Sequence, residues 1–415
     1  MDEIPSKTYF FGAEAKGIEG RLNEIVMQAI RAGAAPCVSI YASRLHTFSV
    51  HGHWGWQNPE THIPLDDGML FDLASVTKLF TVTAFLRQVS EGKTTLDSPL
   101  ADIVPEFAAI SPRAVVDSYE PQSRVVIPMP PEYAGKQVDP ASVTFRQLLT
   151  HTSGLPPWRR TYELAAATAP PPPHLPDPAA RELRWARVLG ALCALDFVGV
   201  PGDRVRYTDI GLMLLGEAVA RMDGRGLAEA IRATLRPSLI EQITYRPVAS
   251  GIRYENVVPT EFDAEWRKRR AWGEVHDENA CGAGGIAGHA GLFGTAIDIA
   301  NFGTYWLRQS KVFGVAPELM REAVREQVTS DGLRRGLGWV LKPAEGANCG
   351  DLFSADSYGH TGFTGTSLWI DPQRQLVVAM MTNRVYAGRD TTVSGIYELR
   401  RAVHTLIAEA VPISA

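Results

Sequence analysis

SVTKLFTVTAFLRQVSEG, residues 75–92, carries the strongest helical signal in the chain. Leu79, Val82, Phe85, Leu86 and Val89 recur at helical spacing on one face, and Gly92 stands where a glycine ends a helix. In its first turn Ser75 and Lys78 are three residues apart, which sets a hydroxyl and an ammonium on the same side about one turn apart. A serine hydroxyl attacks only when a base takes its proton, and a desolvated lysine is one of the few side chains able to help near neutral pH. The N–H groups of a helix start also face developing negative charge. Taken alone this spacing is common, and a helix-capping Ser75 beside a solvated Lys78 is then the better account.

Upstream, residues 35–56 read as a β-hairpin, with runs Cys37–Ala42 and Thr47–Trp54. Downstream, Thr144 to Gln147 and Thr295 to Asp298 have capping-box spacing ahead of apolar residues and mark helix starts. Between about 93 and 285 strands are sparse, and helical pieces such as 180–196 and 209–223 are separated by Pro and Gly. The proline-rich segment 169–178 reads as an exposed loop, with a docking ligand as the alternative. After Gly303 the pattern returns to β at 336–341, 364–370 and 376–382, with a turn at 371–374, and a helix over 396–410 closes the chain. No internal repeat is visible. The expected fold is α/β plus all-α: residues 1–74 and 286–415 form an antiparallel sheet flanked by helices, and residues 75–285 form a mostly helical insertion. The active site is expected in the cleft between them.

The 415 residues suit one large composite domain or two, and 45% hydrophobic with 21% charged residues is ordinary globular usage. With 41 basic against 46 acidic residues and no block of like charge, nucleic acid is not an expected partner. Cys37, Cys193, Cys281 and Cys349 lie far apart and read as reduced, mostly buried thiols. The opening MDEIPSKTYF lacks the pattern of an export signal, and the longest apolar stretch, 188–200, is interrupted by Asp196. A soluble, cytoplasmic protein without a membrane span is the expectation, its oligomeric state left open.

Two further motifs change the reading of Ser75 and Lys78. Tyr207-Thr-Asp209 directly precedes an apolar helix, and Tyr358-Gly-His360-Thr-Gly362-Phe-Thr-Gly365-Thr feeds what reads as an edge strand. In the order S-x-x-K, Y-x-D, H-T-G, with the stretches 71–78, 148–155 and 288–295 in support, the chain resembles the serine β-lactamase and penicillin-binding protein superfamily. It is most similar to the class C-like branch, which also holds D-Ala-D-Ala carboxypeptidases, carboxylesterases and acyltransferases, and the resemblance runs from about residue 20 to 411.

The resemblance implies that Ser75 forms an acyl-enzyme, that Lys78 helps to deprotonate it, and that Tyr207 exchanges protons with Lys78 and activates the deacylating water. His360 stands where many relatives carry lysine and would bind a substrate carboxylate or orient Tyr207. The backbone N–H groups of Ser75 and Phe363 would form the oxyanion hole, with Thr361 and Gly362 beside the substrate, the glycine leaving room for it against the strand. Asp209 departs from the pattern, because asparagine is usual there and a carboxylate cannot donate an amide hydrogen bond. Ionised beside Lys78 it would hold the lysine charged; alternatively it only caps the helix.

There is no G-x-S-x-G and no H-E-x-x-H, the glycine run 282–287 lacks a preceding strand, and His276-Asp-Glu-Asn reads as a polar turn, so no metal or other cofactor is expected. His151 and His289 are expected to tie loops together, and Trp158, Trp185 and Trp272 to pack in the core or, alternatively, to line an acyl pocket. The expected function is serine-dependent hydrolysis of small or medium esters through an acyl-enzyme. D-Ala-type peptidase or amidase, weak β-lactamase and acyltransferase activities are the alternatives, and a non-catalytic binder or sensor is the alternative of another class.

Overall fold

The computed structural model describes residues 4–45, 47–119, 125–166, 168–389 and 393–413. Its main sheet is antiparallel throughout and runs, from edge to edge, through Ser6–Phe11, Phe48–Asn58, Cys37–Arg44, Leu376–Thr382, Ser367–Asp371, Tyr358–Thr361, Val340–Leu341, Leu333–Arg335 and Val328–Ser330, with Ile63–Pro64 added beside Phe48–Asn58. The sheet is therefore woven from the two ends of the chain, joined where Cys37–Arg44 pairs with Leu376–Thr382.

Alternation along these strands decides what each face carries. Val377, Ala379 and Met381 face a cluster with Ile299 and Phe302 of the helix Ala296–Leu307, while Val378 and Met380 face Leu22, Leu399, Val403 and Ile407 of the helices Glu19–Arg31 and Val393–Ala410. Both faces are covered, which is why this strand is an unbroken apolar run rather than an alternating one. Gly303 lets its helix lie directly on Val377 and Leu368, where a Cβ would collide.

The chain around Ser75 forms a 3₁₀ turn, Ala74–Val76, continuing into the helix Thr77–Ser90, with Gly92 in the left-handed region just beyond. Its apolar stripe led to an expectation of one buried face, yet every side chain from Thr77 to Leu86 is buried. Threonines make this affordable on the second face: Thr81 donates to Gly288 O, Thr83 to Leu79 O, and Thr77 accepts from Leu292 N–H. The helices Asp209–Asp223 and Leu227–Leu235 pack beside it, and Gly216 meets Gly288 with no room for a Cβ on either.

Several boundaries differ from the sequence reading for local reasons. Tyr358–Thr361 is not an edge strand, since Val340–Leu341 covers its first two residues; only His360 and Thr361 keep one side free. The next strand starts at Ser367 rather than 364, because Gly362 to Thr366 closes a turn. Thr144 and Gln147 form the full reciprocal capping box, whereas Asp298 accepts from the Thr295 hydroxyl and from Glu241 N–H instead of reaching the Thr295 backbone. The hairpin Val328–Ser330 and Leu333–Arg335 was not anticipated; Asp331 and Gly332, both at positive φ, make its tight turn. The four cysteines are free and buried. Among the described residues no helix is long and apolar enough to cross a membrane.

Candidate active site

Ser75 is presented by a strained and heavily tied segment. Ala74, immediately before it, has φ of 44°, a conformation that an alanine adopts only when its surroundings impose it. Asp72 imposes it by accepting from Ala74 N–H at 2.8 Å and from His276 N–H at 2.6 Å. The hydroxyls of Thr364 and Thr366 bind Asp72 O and Leu73 O at 2.7 and 3.0 Å, which sews the 362–366 turn onto the chain leading to Ser75. Gly362 is needed for this seam: a Cβ there would run into Thr366 and the Leu73 carbonyl, so internal packing by itself calls for glycine at this position.

Around Ser75 Oγ the structure gathers Lys78 Nζ at 2.8 Å and the Tyr207 hydroxyl at 2.9 Å, both donating to it. Lys78 Nζ also donates to His289 O at 3.1 Å and forms an ion pair with Asp209 Oδ1 at 2.7 Å. The carbonyl of His289 is delivered by the Gly216–Gly288 contact, and His289 itself is held by Asp277 at 2.9 Å. The ammonium thus has two hydrogen-bond acceptors, Ser75 Oγ and His289 O, and one counter-ion, the Asp209 carboxylate. Burial pulls the Lys78 pKa down, but the charges of Asp209 and Tyr207 outweigh it and the net shift is upward. Burial, assisted by Asp209, raises Tyr207 against the opposing pull of Lys78. The resting pair is therefore a phenol and an ammonium.

Asp209 is the first residue of its helix and not the cap; Thr208 caps, accepting from Gly211 N–H, which leaves the Asp209 carboxylate for Lys78. Tyr207 is held by the 148–155 loop. His151, at φ 58°, lies with its ring 4.7 Å from the tyrosine ring, accepts from Thr208 N–H through Nδ1, and accepts from Arg206 N–H through its carbonyl. His360 makes no hydrogen bond to Tyr207. Its ring centre is 6.1 Å away, Nδ1 pairs with Thr361 O at 2.8 Å, and burial together with the Lys78 and Arg335 charges pushes its pKa down to about 3, so it is neutral. Phe363 lies between the His276 ring at 5.6 Å and the Arg384 guanidinium at 4.7 Å, and its carbonyl accepts from Arg384. The tryptophans separate: Trp185 bonds Glu217 in the helical core, Trp272 bonds the carbonyls of Tyr254 and Val257, and Trp158 follows Pro157, whose carbonyl accepts from Asp209 N–H.

This serine, lysine and tyrosine geometry sits inside a sequence that the family model described as "Beta-lactamase" matches over residues 22–400. The chain belongs to the β-lactamase family. A relative from Escherichia coli strain K12, named "Putative D-alanyl-D-alanine carboxypeptidase", is 27% identical over 349 residues, covering 79% of this chain and 72% of the relative. Among solved structures the chain is similar to EstCE1, "a hydrolase with promiscuous acyltransferase activity", at 19% identity and a TM-score of 0.68, covering 95% of this chain and 98% of that one. It is also similar to a penicillin-binding protein homologue from Caulobacter crescentus at 18% identity and a TM-score of 0.65, covering 98% and 100%. At these identities the two structures speak for the fold. The chain is an enzyme, a serine hydrolase of the β-lactamase superfamily.

Within this β-lactamase-family fold one residue close to Tyr207 escaped the sequence reading. Arg335, at the end of the unanticipated hairpin, is 8% exposed, has its guanidinium 5.6 Å from the Tyr207 ring, and makes no side-chain hydrogen bond or ion pair among the described residues. The Asp331-Gly332 turn is the signal that could have revealed its strand.

Proposed function

We propose that the chain hydrolyses carboxylic esters through an acyl-enzyme on Ser75. The observation that carries this reading is the convergence of Lys78 Nζ and the Tyr207 hydroxyl on Ser75 Oγ within 2.9 Å. Because both donate to Ser75 Oγ in the resting state, the pair must shed one proton before it can act as a base. Ser75 then gives its proton to that pair as Oγ bonds to the substrate carbonyl carbon, and the N–H groups of Ser75 and Phe363 receive the carbonyl oxygen's charge. The bond to the alcohol oxygen breaks, and the pair hands that oxygen the proton. Water repeats the sequence on the acyl-enzyme: the pair takes its proton, and Ser75 Oγ leaves and is reprotonated.

Asp209 favours esters over amides in this scheme. It keeps Lys78 charged and so keeps the active ionisation state scarce, and an alcohol departs with less proton donation than an amine requires. Turnover of p-nitrophenyl esters of increasing chain length, compared with matched amides and a chromogenic cephalosporin, tests the reading; a higher kcat/KM for the amide or the cephalosporin would refute it.

Arg335 favours a second reading. A buried guanidinium without a counter-ion is costly, and an anionic group on the substrate would relieve that cost. This suits a substrate bearing a carboxylate, such as a peptide ending in a D-amino acid, in line with the name of the Escherichia coli relative. The neutral His360 would then contribute a hydrogen bond and Arg335 the charge.

A further inference from the structure

A second cluster of chemically active side chains stands apart from Ser75. His51 and His53 are two residues apart on the strand Phe48–Asn58 and so share one face of the sheet, and the loop after Leu65 brings Asp67 to them. His53 Nε2 is 2.8 Å from Asp67 Oδ1 and 3.2 Å from His51 Nε2, and His51 Nε2 is 3.2 Å from the same oxygen. Three atoms thus form a closed triangle. Protons cannot satisfy it: the carboxylate oxygen is an acceptor, each ring nitrogen is either donor or acceptor, and two roles spread over three atoms leave one edge with like facing like.

We propose that His51, His53 and Asp67 bind one divalent transition-metal ion of the zinc class. A cation capping the triangle, just off its plane, gives all three lone pairs a partner at once. With metal bonds of about 2.0–2.1 Å, tetrahedral ligands stand about 3.3 Å apart, close to the edges found here. Two imidazole nitrogens with one carboxylate oxygen suit zinc and its neighbours, whereas magnesium and calcium take oxygen ligands. Asp67 is 46% and His51 22% exposed at the side chain, so a water can complete the coordination from the open side. Lys7 holds the other Asp67 oxygen at 3.2 Å and Asp66 at 2.6 Å, which fixes the carboxylate and leaves Oδ1 for the ion. The Tyr41 ring, edge-on to His51 at 5.3 Å, limits rotation of that imidazole.

None of the three residues contacts Ser75, Lys78 or Tyr207, so the ion would stand outside the Ser75 site. It clips the strand to the loop that leads to Phe71–Asp72 and then to Ser75. The test uses the full chain, stripped with a chelator and dialysed. Loaded with zinc chloride it should retain about one equivalent by elemental analysis, and with cobalt chloride it should develop the visible absorption of a tetrahedral Co²⁺ centre. His51→Asn and Asp67→Asn, both at partly exposed positions, should each abolish the cobalt spectrum and lower zinc retention at least about tenfold, with melting curves confirming that the variants fold. No retention by the parent chain, or equal retention and an equal spectrum in a folded His51→Asn variant, would overturn the assignment. Labelling of Ser75 by a fluorophosphonate is expected to be the same with and without the metal, so this site and the ester reading stand or fall separately.

Discussion

Lys78 Nζ lies 2.7 Å from Asp209 Oδ1, with the ammonium 1% exposed and the carboxylate 19%. This contact raises the lysine pKa against the effect of burial and adds to the rise at Tyr207. The form of the pair with one proton fewer therefore becomes populated only at alkaline pH. Replacing Asp209 with Asn removes the negative charge at nearly constant volume, so the lower limb of the kcat/KM profile should move to lower pH. A limb that stays in place in an active variant would mean that Asp209 does not control the base.

Ser75 should be the single site of covalent labelling. Intact mass after fluorophosphonate treatment is expected to show one adduct on the peptide containing Ser75, and Ser75→Ala should abolish it. Lys78→Ala should reduce kcat by roughly 10²–10⁴, the usual worth of a positioned acid–base group. A small loss would mean that Tyr207 acts without the lysine.

The buried guanidinium of Arg335 should separate charged from neutral substrates. For an ester carrying a carboxylate, Arg335→Met is expected to cut kcat/KM by about 10- to 100-fold, equivalent to a charged hydrogen bond of about 1.5–3 kcal/mol. The neutral ester of the same length should change little. Equal losses for both would indicate that Arg335 only supports Tyr207.

Gly362→Ala is expected to impair folding stability and catalysis together. Its Cβ would press on Thr366 and the Leu73 carbonyl, an overpacking that costs about 1–3 kcal/mol and shifts the strained Ala74–Ser75 turn. Thermal melting should show the loss, and kcat should fall more than KM rises. An unchanged melting temperature would mean that the seam is looser than its contacts indicate.

Much of this site was legible because it is built from short-range patterns. The spacing of Ser75 and Lys78 reports its own geometry through the helix, and Tyr207 and His360 stand in recognisable motifs. The Asp209 contact with Lys78 was foreseeable from charge once a common site was assumed. Arg335 was not, since its position depends on a two-residue turn joining strands of three residues each, too short to show periodicity. Burial of both faces over Thr77–Leu86 was hidden for a similar reason: threonine reads as polar until Gly288 O and Leu292 N–H are found against it. The His51, His53 and Asp67 triangle gave only half its signal, because the strand spacing fixes the histidines while the aspartate arrives from a loop.

The pairing of Cys37–Arg44 with Leu376–Thr382 has a bearing on how the protein is made. On the ribosome the first hairpin emerges hundreds of residues ahead of the strand that must cover its edge, so Val38, Ile40 and Ala42 wait with unpaired backbone and uncovered apolar side chains. Closing contacts of such sequence separation is slow because the loop entropy falls due before any contact repays it. Emergence of Leu376–Thr382, rather than synthesis of Ser75, Lys78 and Tyr207, thus sets when the sheet can close, and nascent chains stalled before residue 376 should be the species that chaperones retain.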